Sequence, residues 1–243
     1  MSIKKPELYT VLSPALLNLY EVKDVIIVVI DVLRATSTIA TALYNGATSV
    51  IPVAEVATCI TLGKLIGGIT AGERDGKVAE GLEYGNSPFE YSKEFINGKT
   101  LVLTTTNGTK LLHMAIAAGA SHIITGSFPN LSAVSNYLVN EKKPALLACA
   151  GWKDRVNLED MLFAGAVISS IKEHFSINCD SSVIAETMYS TTGGHLFEFL
   201  KQKKASHYQR LMGYGLEKDL RYCLTPDNAN VLPFYENGRL AVK

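Results

Sequence analysis

The chain has 243 residues, of which 47% are hydrophobic and 19% charged, and its 23 basic and 23 acidic side chains give a formal net charge of zero. This balance argues against a nucleic-acid-binding protein, whose affinity depends on a basic surface. The hydrophobic content excludes an intrinsically disordered chain. No apolar run reaches the roughly 18 residues that a membrane-spanning helix needs, so we expect no membrane partner.

Apolar segments of strand length alternate with segments of helical period, which predicts a three-layer α/β/α fold with a mostly parallel or mixed sheet. The first of these strands is β-branched on both faces, as expected for a strand that is covered on both sides. In chain order, the predicted strands are residues 25–30, 49–53, 69–72, 100–103, 122–125 and 145–149. The predicted helices are residues 35–44, 54–66, 109–118, 131–139 and 158–173.

Two parts of this pattern resemble each other. Residues 24–95 and 99–175 both contain a strand, polar turn, helix, strand, helix, strand and polar loop, and a shift of 79 places Ala71–Asp75 on Ala150–Asp154. Any two α/β units share some of this pattern, but we favour an internal duplication within one domain of residues 1–243. The polar turns of both halves are then expected to face one cleft, where open α/β sheets bind ligands.

The segment 176–243 is a less regular carboxyl-terminal extension. Residues 219–230 are predicted to form a loop, and residues 231–242 a pair of strands that turns at Asn237-Gly238. The donor-rich segment Ser190–Gly194 is interpreted as a surface loop that could also serve as a lid.

The chain ends and the cysteines indicate the compartment. The amino-terminal residues 1–6 are basic but no apolar stretch follows them directly, so we expect no signal peptide and a cytoplasmic protein. Cys59, Cys149, Cys179 and Cys223 lie far apart and have no zinc-ligand spacing. We interpret them as reduced core thiols.

The first candidate for chemistry follows the first buried strand. Asp31 leaves this strand, and Arg34, Thr36 and Ser37 open the next helix. The carboxylate could supply a hard oxygen ligand, while the arginine and the helix N-terminus could bind an anion such as a metal-bound phosphate. Alternatively, Thr36 or Ser37 only caps the helix. We expect Asp31 and Arg34 to be catalytic, and Thr36 and Ser37 to contact the substrate.

The second candidate is the charged turn Gly72–Gly76. Glu73 and Arg74 lie between its glycines, where they could hold Mg²⁺ and an anionic group together. A solvated charged turn explains the same residues equally well. We expect Glu73 and Arg74 to take part in catalysis.

The third candidate is a neutral, donor-rich turn at the start of a helix. Thr106, Asn107, Gly108 and Thr109 occupy the repeat position of the Asp31 turn and could cradle an anion with backbone N–H groups and hydroxyls. Their spacing is not that of a P-loop, so nucleotide binding does not follow. Capping threonines are the structural alternative.

The fourth candidate is the segment from Gly151 to Asp160. Arg155 could bind an anion, and Glu159 and Asp160 could bind a metal, although the helix dipole favours acids in a first turn regardless of function. None of the five histidines has metal-ligand spacing or stands near a Gly-x-Ser-x-Gly signature, so no histidine is assigned to the site.

These motifs together resemble the 2-phosphosulfolactate phosphatase family of coenzyme M biosynthesis. The likeness extends over about residues 24–165 and is carried by six segments: Val29–Thr38, Ala71–Arg74, Glu83–Pro88, Thr105–Thr109, Ala150–Arg155 and Leu158–Asp160. The resemblance implies an α/β fold of its own and a Mg²⁺-dependent acid phosphatase. The implied reaction converts (R)-2-phospho-3-sulfolactate to (R)-3-sulfolactate and phosphate.

With this resemblance, Mg²⁺ is expected among Asp31, Glu73 and either Glu159 or Asp160, with Arg155 on the sulfonate. Two mechanisms remain open: Asp31 attacks phosphorus, or it holds Mg²⁺ while water attacks. We favour the second because no acid or base stands beside Asp31 in the motif.

Two other functions remain open. One is a phosphomonoesterase for another phosphorylated 2-hydroxy acid. The other is a non-catalytic sensor of phosphorylated or sulfonated acids, which would not need several carboxylates. In each case the partner is a small anionic molecule, and a homodimer is the default assembly.

Overall fold

The computed structural model describes residues 5–243, so the first four residues of the amino-terminal segment discussed above lie outside the described residues. The strands are β1 (Leu8–Val11), β2 (Ile26–Ile30), β3 (Ser49–Pro52), β4 (Ile69–Arg74), β5 (Lys77–Val78), β6 (Thr100–Thr104), β7 (His122–Gly126), β8 (Ala145–Cys149), β9 (Pro233–Glu236) and β10 (Arg239–Val242). The helices are α1 (Ala35–Tyr44), α2 (Val56–Ile66), α3 (Lys93–Ile96), α4 (Gly108–Ala117), α5 (Leu131–Glu141), α6 (Leu158–Ile171), α7 (Asp180–Ser190), α8 (Leu196–Gln202), α9 (Ser206–Gly213) and α10 (Glu217–Cys223).

These strands form one mixed sheet in the order β1-β8-β2-β7-β9-β10-β3-β6-β4-β5. The group β1-β8-β2-β7 is parallel throughout, and so is the group β3-β6-β4. The antiparallel hairpin β9–β10 joins the two groups, with β9 antiparallel to β7 and β10 antiparallel to β3. The predicted α/β class with a mostly parallel sheet is confirmed.

The two groups exchange their central strands. Strand β2, the first strand of the first predicted repeat, lies between β7 and β8 of the second. In the same way, β6 opens the second repeat and lies between β3 and β4 of the first. This reciprocal order is what two related units with exchanged strands would produce, and the duplication itself stays a prediction.

Helices cover both faces of the sheet. Along β2, Ile26 and Val28 pack in one cluster with Phe163 of α6, whereas Ile27 packs in a second cluster with Leu111 of α4. Because side chains alternate between the faces of a strand, a strand between two helical layers must be apolar on both sides. This arrangement explains the β-branched run and confirms the three-layer architecture.

The carboxyl-terminal segment is more helical than its sequence predicted. The loop predicted over residues 219–230 is confirmed for residues 224–230 but wrong for residues 219–223, which belong to α10 and bury Leu220 and Cys223. These side chains have helical spacing, but a helix of this length forms only when packing stabilises it. The hairpin that turns at Asn237-Gly238 is confirmed.

Two further expectations concern thiols and membranes. Cys59, Cys149 and Cys223 are buried free thiols, as predicted, whereas Cys179 is half-buried and also free. Within residues 5–243, none of the helices combines the length and apolarity required to cross a bilayer.

Candidate active site

A cavity of about 220 Å³ lies at the carboxyl ends of β2, β4 and β6, and we call it the central cavity. Helix α9 supplies another wall. The carboxyl ends of parallel strands are where α/β sheets place their ligands. Both signs of charge are present in the lining, whose charged and histidine residues are Asp31, Arg34, Glu73, Asp75, His207 and Arg210.

Asp31 is the most deeply placed acid of the cavity. It follows β2 directly, is 7% exposed and accepts a hydrogen bond from the Gly108 N–H. Burial raises the pKa of Asp31 to about 7, the carboxylates of Glu73 and Glu159 add to the rise, and His207 opposes it. A cation bound at Asp31 would relieve this repulsion between carboxylates.

Glu73 connects two loops of the cavity wall. Its Oε1 accepts the N–H of Thr106 (2.8 Å) and its Oε2 accepts the N–H of Gly76 (2.9 Å). The carboxylate therefore fixes the end of β6 against the β4–β5 turn. Its remaining lone pairs are available to the cavity.

The turn before α4 divides into two pairs of residues. Thr106 and Asn107 line the cavity, and Asn107 Oδ1 accepts the N–H of Lys153 (3.2 Å). Gly108 and Thr109 act behind them: Gly108 donates to Asp31, and Thr109 Oγ1 accepts the N–H of Thr105 (3.1 Å). Of the four residues predicted to bind the substrate in this turn, only the first two therefore reach the cavity.

Thr36 and Ser37 do not line the central cavity and serve the start of α1. Thr36 Oγ1 accepts the Asp31 N–H (3.1 Å), and Ser37 Oγ donates to the carbonyl of Val32 (2.8 Å). Both side chains are buried. Their hydroxyls hold the backbone that positions Asp31, but neither residue caps α1 as the structural alternative supposed, because the N-cap is Arg34.

Glu159 and Asp160 have different environments although they are neighbours in α6. Both Asp160 oxygens accept backbone N–H groups, from Val32 (2.9 Å) and from Gly151 (3.0 Å), so this carboxylate joins two strand-end loops. Glu159 is 1% exposed; its Oε1 accepts from His207 Nδ1 (2.6 Å), and its Oε2 has no hydrogen-bond partner within the described residues.

Arg34 is buried and paired. Its Nη1 donates to Asp219 of α10 (2.5 Å), and its Nη2 donates to the carbonyl of Gly76 (3.4 Å). The guanidinium lines the cavity with its charge compensated and its fork held in one orientation. Asp219 also ties the carboxyl-terminal helices to the loop after β2.

The other two arginines predicted for the site lie outside the central cavity. Arg74 donates to the carbonyls of Glu73 (2.7 Å) and Ala54 (3.0 Å) and lines a separate surface depression. Arg155 is exposed, and its backbone pairs with that of Trp152 in a tight turn. Trp152 reaches the cavity, whereas the Arg155 side chain does not line it.

Helix α9 contributes residues that sequence reasoning missed. His207, Arg210, Leu211 and Tyr214 all line the cavity, and their spacing places them on one helical face. This spacing was the available signal, but a short amphipathic helix is more often explained by core packing. The segment 190–194, considered as a lid, forms the turn after α7 and does not border the cavity.

Comparison with known proteins gives a consistent answer. The family model described as 2-phosphosulpholactate phosphatase matches residues 11–238. The chain belongs to this family. A "probable 2-phosphosulfolactate phosphatase" of Thermotoga petrophila is 44% identical over 216 residues, which cover 89% of this chain and 91% of the relative. A protein of Caldanaerobacter subterraneus with the same description is 38% identical over 226 residues, with 91% and 92% covered.

Membership of the 2-phosphosulfolactate phosphatase family makes the chain a phosphoric monoester hydrolase. The match extends well beyond the segments that carried the resemblance in sequence, and it includes α9 and α10. The helices that supply His207, Arg210 and Asp219 therefore lie within the part of the chain that the family model matches.

The donor set of the cavity fits Mg²⁺ as a partly hydrated ion. Among the described residues, no group of three or more His, Cys, Asp or Glu side chains is arranged to enclose a metal. Mg²⁺ in phosphate-handling enzymes needs only one or two carboxylates, with water and phosphate oxygens completing its shell. Asp31, which other carboxylates surround, has the required chemistry, and so has the unpartnered Oε2 of Glu159. Glu73 and Asp160 each accept a backbone N–H at both oxygens, but Glu73 lines the cavity and Asp160 does not.

Proposed function

We propose that the protein hydrolyses (R)-2-phospho-3-sulfolactate to (R)-3-sulfolactate and phosphate in a Mg²⁺-dependent reaction. The observation that carries the proposal is the mixed charge of the central cavity. Asp31 and Glu73 line it together with Arg34 and Arg210. A protein that only bound a multiply charged anion would gain from the arginines and lose from the acids, since these repel the ligand unless a cation lies between.

Asp31 and Glu73 would hold Mg²⁺, and water and substrate oxygens would complete its shell. When bound, Mg²⁺ would neutralise charge on the phosphoryl oxygens and thereby favour attack by a nucleophile on phosphorus. This assignment explains why the fold keeps the carboxylates of Glu73 and Glu159 close enough to raise the pKa of Asp31. It also favours a supporting role for Asp31 over direct attack on phosphorus.

Arg34 would bind the phosphoryl group. Asp219 and the carbonyl of Gly76 fix its guanidinium before substrate arrives, so little side-chain entropy is lost on binding. A preorganised cation stabilises charge that develops on the equatorial oxygens in the transition state. Its effect is therefore expected on kcat.

His207 would supply the proton that the leaving group needs. Glu159 Oε1 accepts the Nδ1–H of His207, which fixes the ring and leaves Nε2 as the nitrogen that can serve the cavity. In the reaction, water oxygen forms a bond to phosphorus while the bond to the ester oxygen breaks, and both protons of the water stay on the phosphate product. Protonated Nε2 then gives its proton to that ester oxygen, which leaves as the 2-hydroxyl group.

The test is phosphate release from phosphosulfolactate, phospholactate, phosphoglycolate and phosphoglycerate, each with Mg²⁺ and with EDTA. We expect turnover that needs Mg²⁺ and has its highest kcat/KM with phosphosulfolactate. A preference for a sulfur-free acid would keep the proposed phosphate-ester hydrolysis and reject phosphosulfolactate as the substrate.

Two further outcomes would reject more of the proposal. Equal turnover with EDTA would reject the Mg²⁺ dependence. Tight binding of the same compounds without release of phosphate would indicate a sensor. The His207→Gln variant serves as the internal control, because it should bind phosphosulfolactate with little change in Kd and lose kcat.

A further inference from the structure

Arg210 is a cavity cation without a counter-charge. It lines the central cavity, its Nη2 is buried without a hydrogen-bond partner, and no carboxylate within residues 5–243 forms an ion pair with it. A buried donor that has lost water without gaining a partner costs free energy. A native structure that retains such a donor calls for an explanation, and a bound ion or ligand that completes its hydrogen bonding is one.

The position of Arg210 is fixed from the side. Its guanidinium carbon lies 4.2 Å from the centre of the Trp152 ring, a stacking contact that an arginine makes through its flat face. Stacking uses the face and leaves the N–H edge free. The cation is therefore oriented before any ligand arrives.

Arg34, the other arginine of the cavity, differs from Arg210 in having a counter-charge. Arg34 donates to Asp219 and to a backbone carbonyl, so its charge is already compensated. Arg155, which the sequence suggested for the sulfonate, is exposed and outside the cavity lining. Of the described arginines, Arg210 alone combines a place in the cavity with an unmatched charge.

We infer that Arg210, held by Trp152, binds the sulfonate of the substrate and sets the preference for a sulfonated over a sulfur-free phospho-acid. This inference rests on the proposed function. The groups that would bind the phosphoryl group and the sulfonate then come from different parts of the chain. Loops at the strand ends bind the phosphoryl group, and α9 binds the sulfonate.

The chemistry of the three anionic groups supports this division. Phosphate and carboxylate oxygens are strong ligands for a hard cation and would bind one that Asp31 and Glu73 hold. A sulfonate is a weak ligand for Mg²⁺ and stays ionised at every physiological pH, so a fixed cation suits it best. Two further buried polar atoms without partners, Thr106 Oγ1 and Asn86 Oδ1, belong to residues that border the same cavity.

The experiment compares wild type, Arg210→Met and Arg210→Lys on phosphosulfolactate and on phospholactate, which lacks the sulfonate. Loss of a charge-assisted hydrogen bond should lower kcat/KM for phosphosulfolactate by about 10- to 100-fold in Arg210→Met, mainly through KM. Phospholactate should change less than about twofold, and Arg210→Lys should lie between wild type and Arg210→Met. Equal losses on both substrates would place Arg210 on the phosphoryl or carboxylate group and overturn the inference.

Arg221→Met is the matched control. Arg221 also stacks on an aromatic ring, with 3.7 Å between its guanidinium carbon and the centre of Phe197, but it lies in α10 outside the central cavity. Its kinetics should match wild type on both substrates. Trp152→Leu tests the inference in a second way. It removes the stacking surface but keeps the charge of Arg210, and it should raise KM for phosphosulfolactate.

A binding measurement separates this inference from the proposed function. Calorimetry with sulfoacetate and with malonate, which replaces the sulfonate by a carboxylate, needs no turnover. Arg210→Met should weaken sulfoacetate binding by about 10-fold or more and leave malonate unchanged. This result without turnover of phosphosulfolactate would reject the proposed reaction and keep the sulfonate site. Turnover of phosphosulfolactate by wild type, together with unchanged sulfoacetate binding in Arg210→Met, would reject the sulfonate site and keep the proposed reaction.

Discussion

Asp31 combines burial, like-charged neighbours and a place at the end of the central strand. An Asp31→Asn variant keeps the shape of the side chain and removes its negative charge. We expect kcat to fall by about three orders of magnitude or more, since the amide can neither attract a cation strongly nor attack phosphorus. Near-normal turnover, in a variant whose circular dichroism matches wild type, would remove Asp31 from the mechanism.

The raised pKa of Asp31 predicts how the free energy of unfolding of the metal-free protein depends on pH. Its pKa rises from the usual 3.8 to about 7 because burial and nearby carboxylates disfavour the charged form. Between these values the unfolded chain has released a proton that the native chain keeps, so the stability of native protein falls as pH rises. Above about pH 7 Asp31 is ionised in both states, so it causes no further loss of stability.

This dependence is measurable as the free energy of unfolding in urea with EDTA, from about pH 4.5 to pH 7.5. The contribution of Asp31 is the difference between wild type and Asp31→Asn, and its slope can reach about 1.4 kcal/mol per pH unit. Other acids titrate in both proteins, so only this difference is diagnostic. Parallel curves would show that Asp31 is ionised throughout.

At the scale of the element, α4 begins so close to Asp31 that its first residue has no room for a side chain. A Cβ on Gly108 would lie 2.8 Å from Asp31 Oδ2 and 3.1 Å from the Cβ of Ala35. Gly108→Ala should move the Asp31 carboxylate and lower kcat by about 10- to 100-fold. Gly213→Ala is the control, because nothing lies within 4 Å of its Cβ position. Equal activity of both variants would contradict the close contact.

Helix α10 is joined to the loop after β2 by the buried pair of Arg34 and Asp219. Asp219→Ala leaves Arg34 buried without its partner and should lower the free energy of unfolding by about 3–5 kcal/mol. The exposed pair Arg221–Glu217 lies on the same helix, and Glu217→Ala should cost only ~0.5 kcal/mol. Urea denaturation compares the two, and similar costs would mean that solvent reaches the Arg34 pair.

These elements also show what the sequence could predict. Asp31, Glu73, Thr106 and Asn107 could be predicted because each lies at the end of a strand or just after it, and the strand ends of a parallel sheet converge. The partner of Arg34 could not be predicted, since Asp219 is 185 residues away and lies in a region predicted to be a loop. Distant short helices acquire their orientation only from packing.

At the scale of the whole molecule, the sheet order was beyond sequence reasoning. Periodicity identifies a strand but not its neighbours, and here β2 and β6 each pair with strands of the other half. This exchange brings the ends of β2 and β6 to one cavity. The homodimer stays a prediction, which sedimentation of the purified protein would test.

The sheet order makes the last residues of the chain central to its stability. The hairpin β9–β10 lies between the two parallel groups, and Leu240 pairs with Val50 inside the core cluster of β3, β4 and β6. Chain termini usually tolerate change because few contacts bind them, but this one connects both halves of the sheet. Leu240→Ala should therefore lower the free energy of unfolding by about 2–5 kcal/mol, as in an interior core position.

Val242 provides the comparison within the same strand. It is 47% exposed, so Val242→Ala should change the free energy of unfolding by less than about 0.5 kcal/mol. Urea titration followed by circular dichroism measures both variants under one condition. If Leu240→Ala were as mild as Val242→Ala, the hairpin would contribute little to the sheet and the two parallel groups would have to hold together without it. A large loss in Leu240→Ala alone would mean that the native sheet is complete only when the last strand is in place.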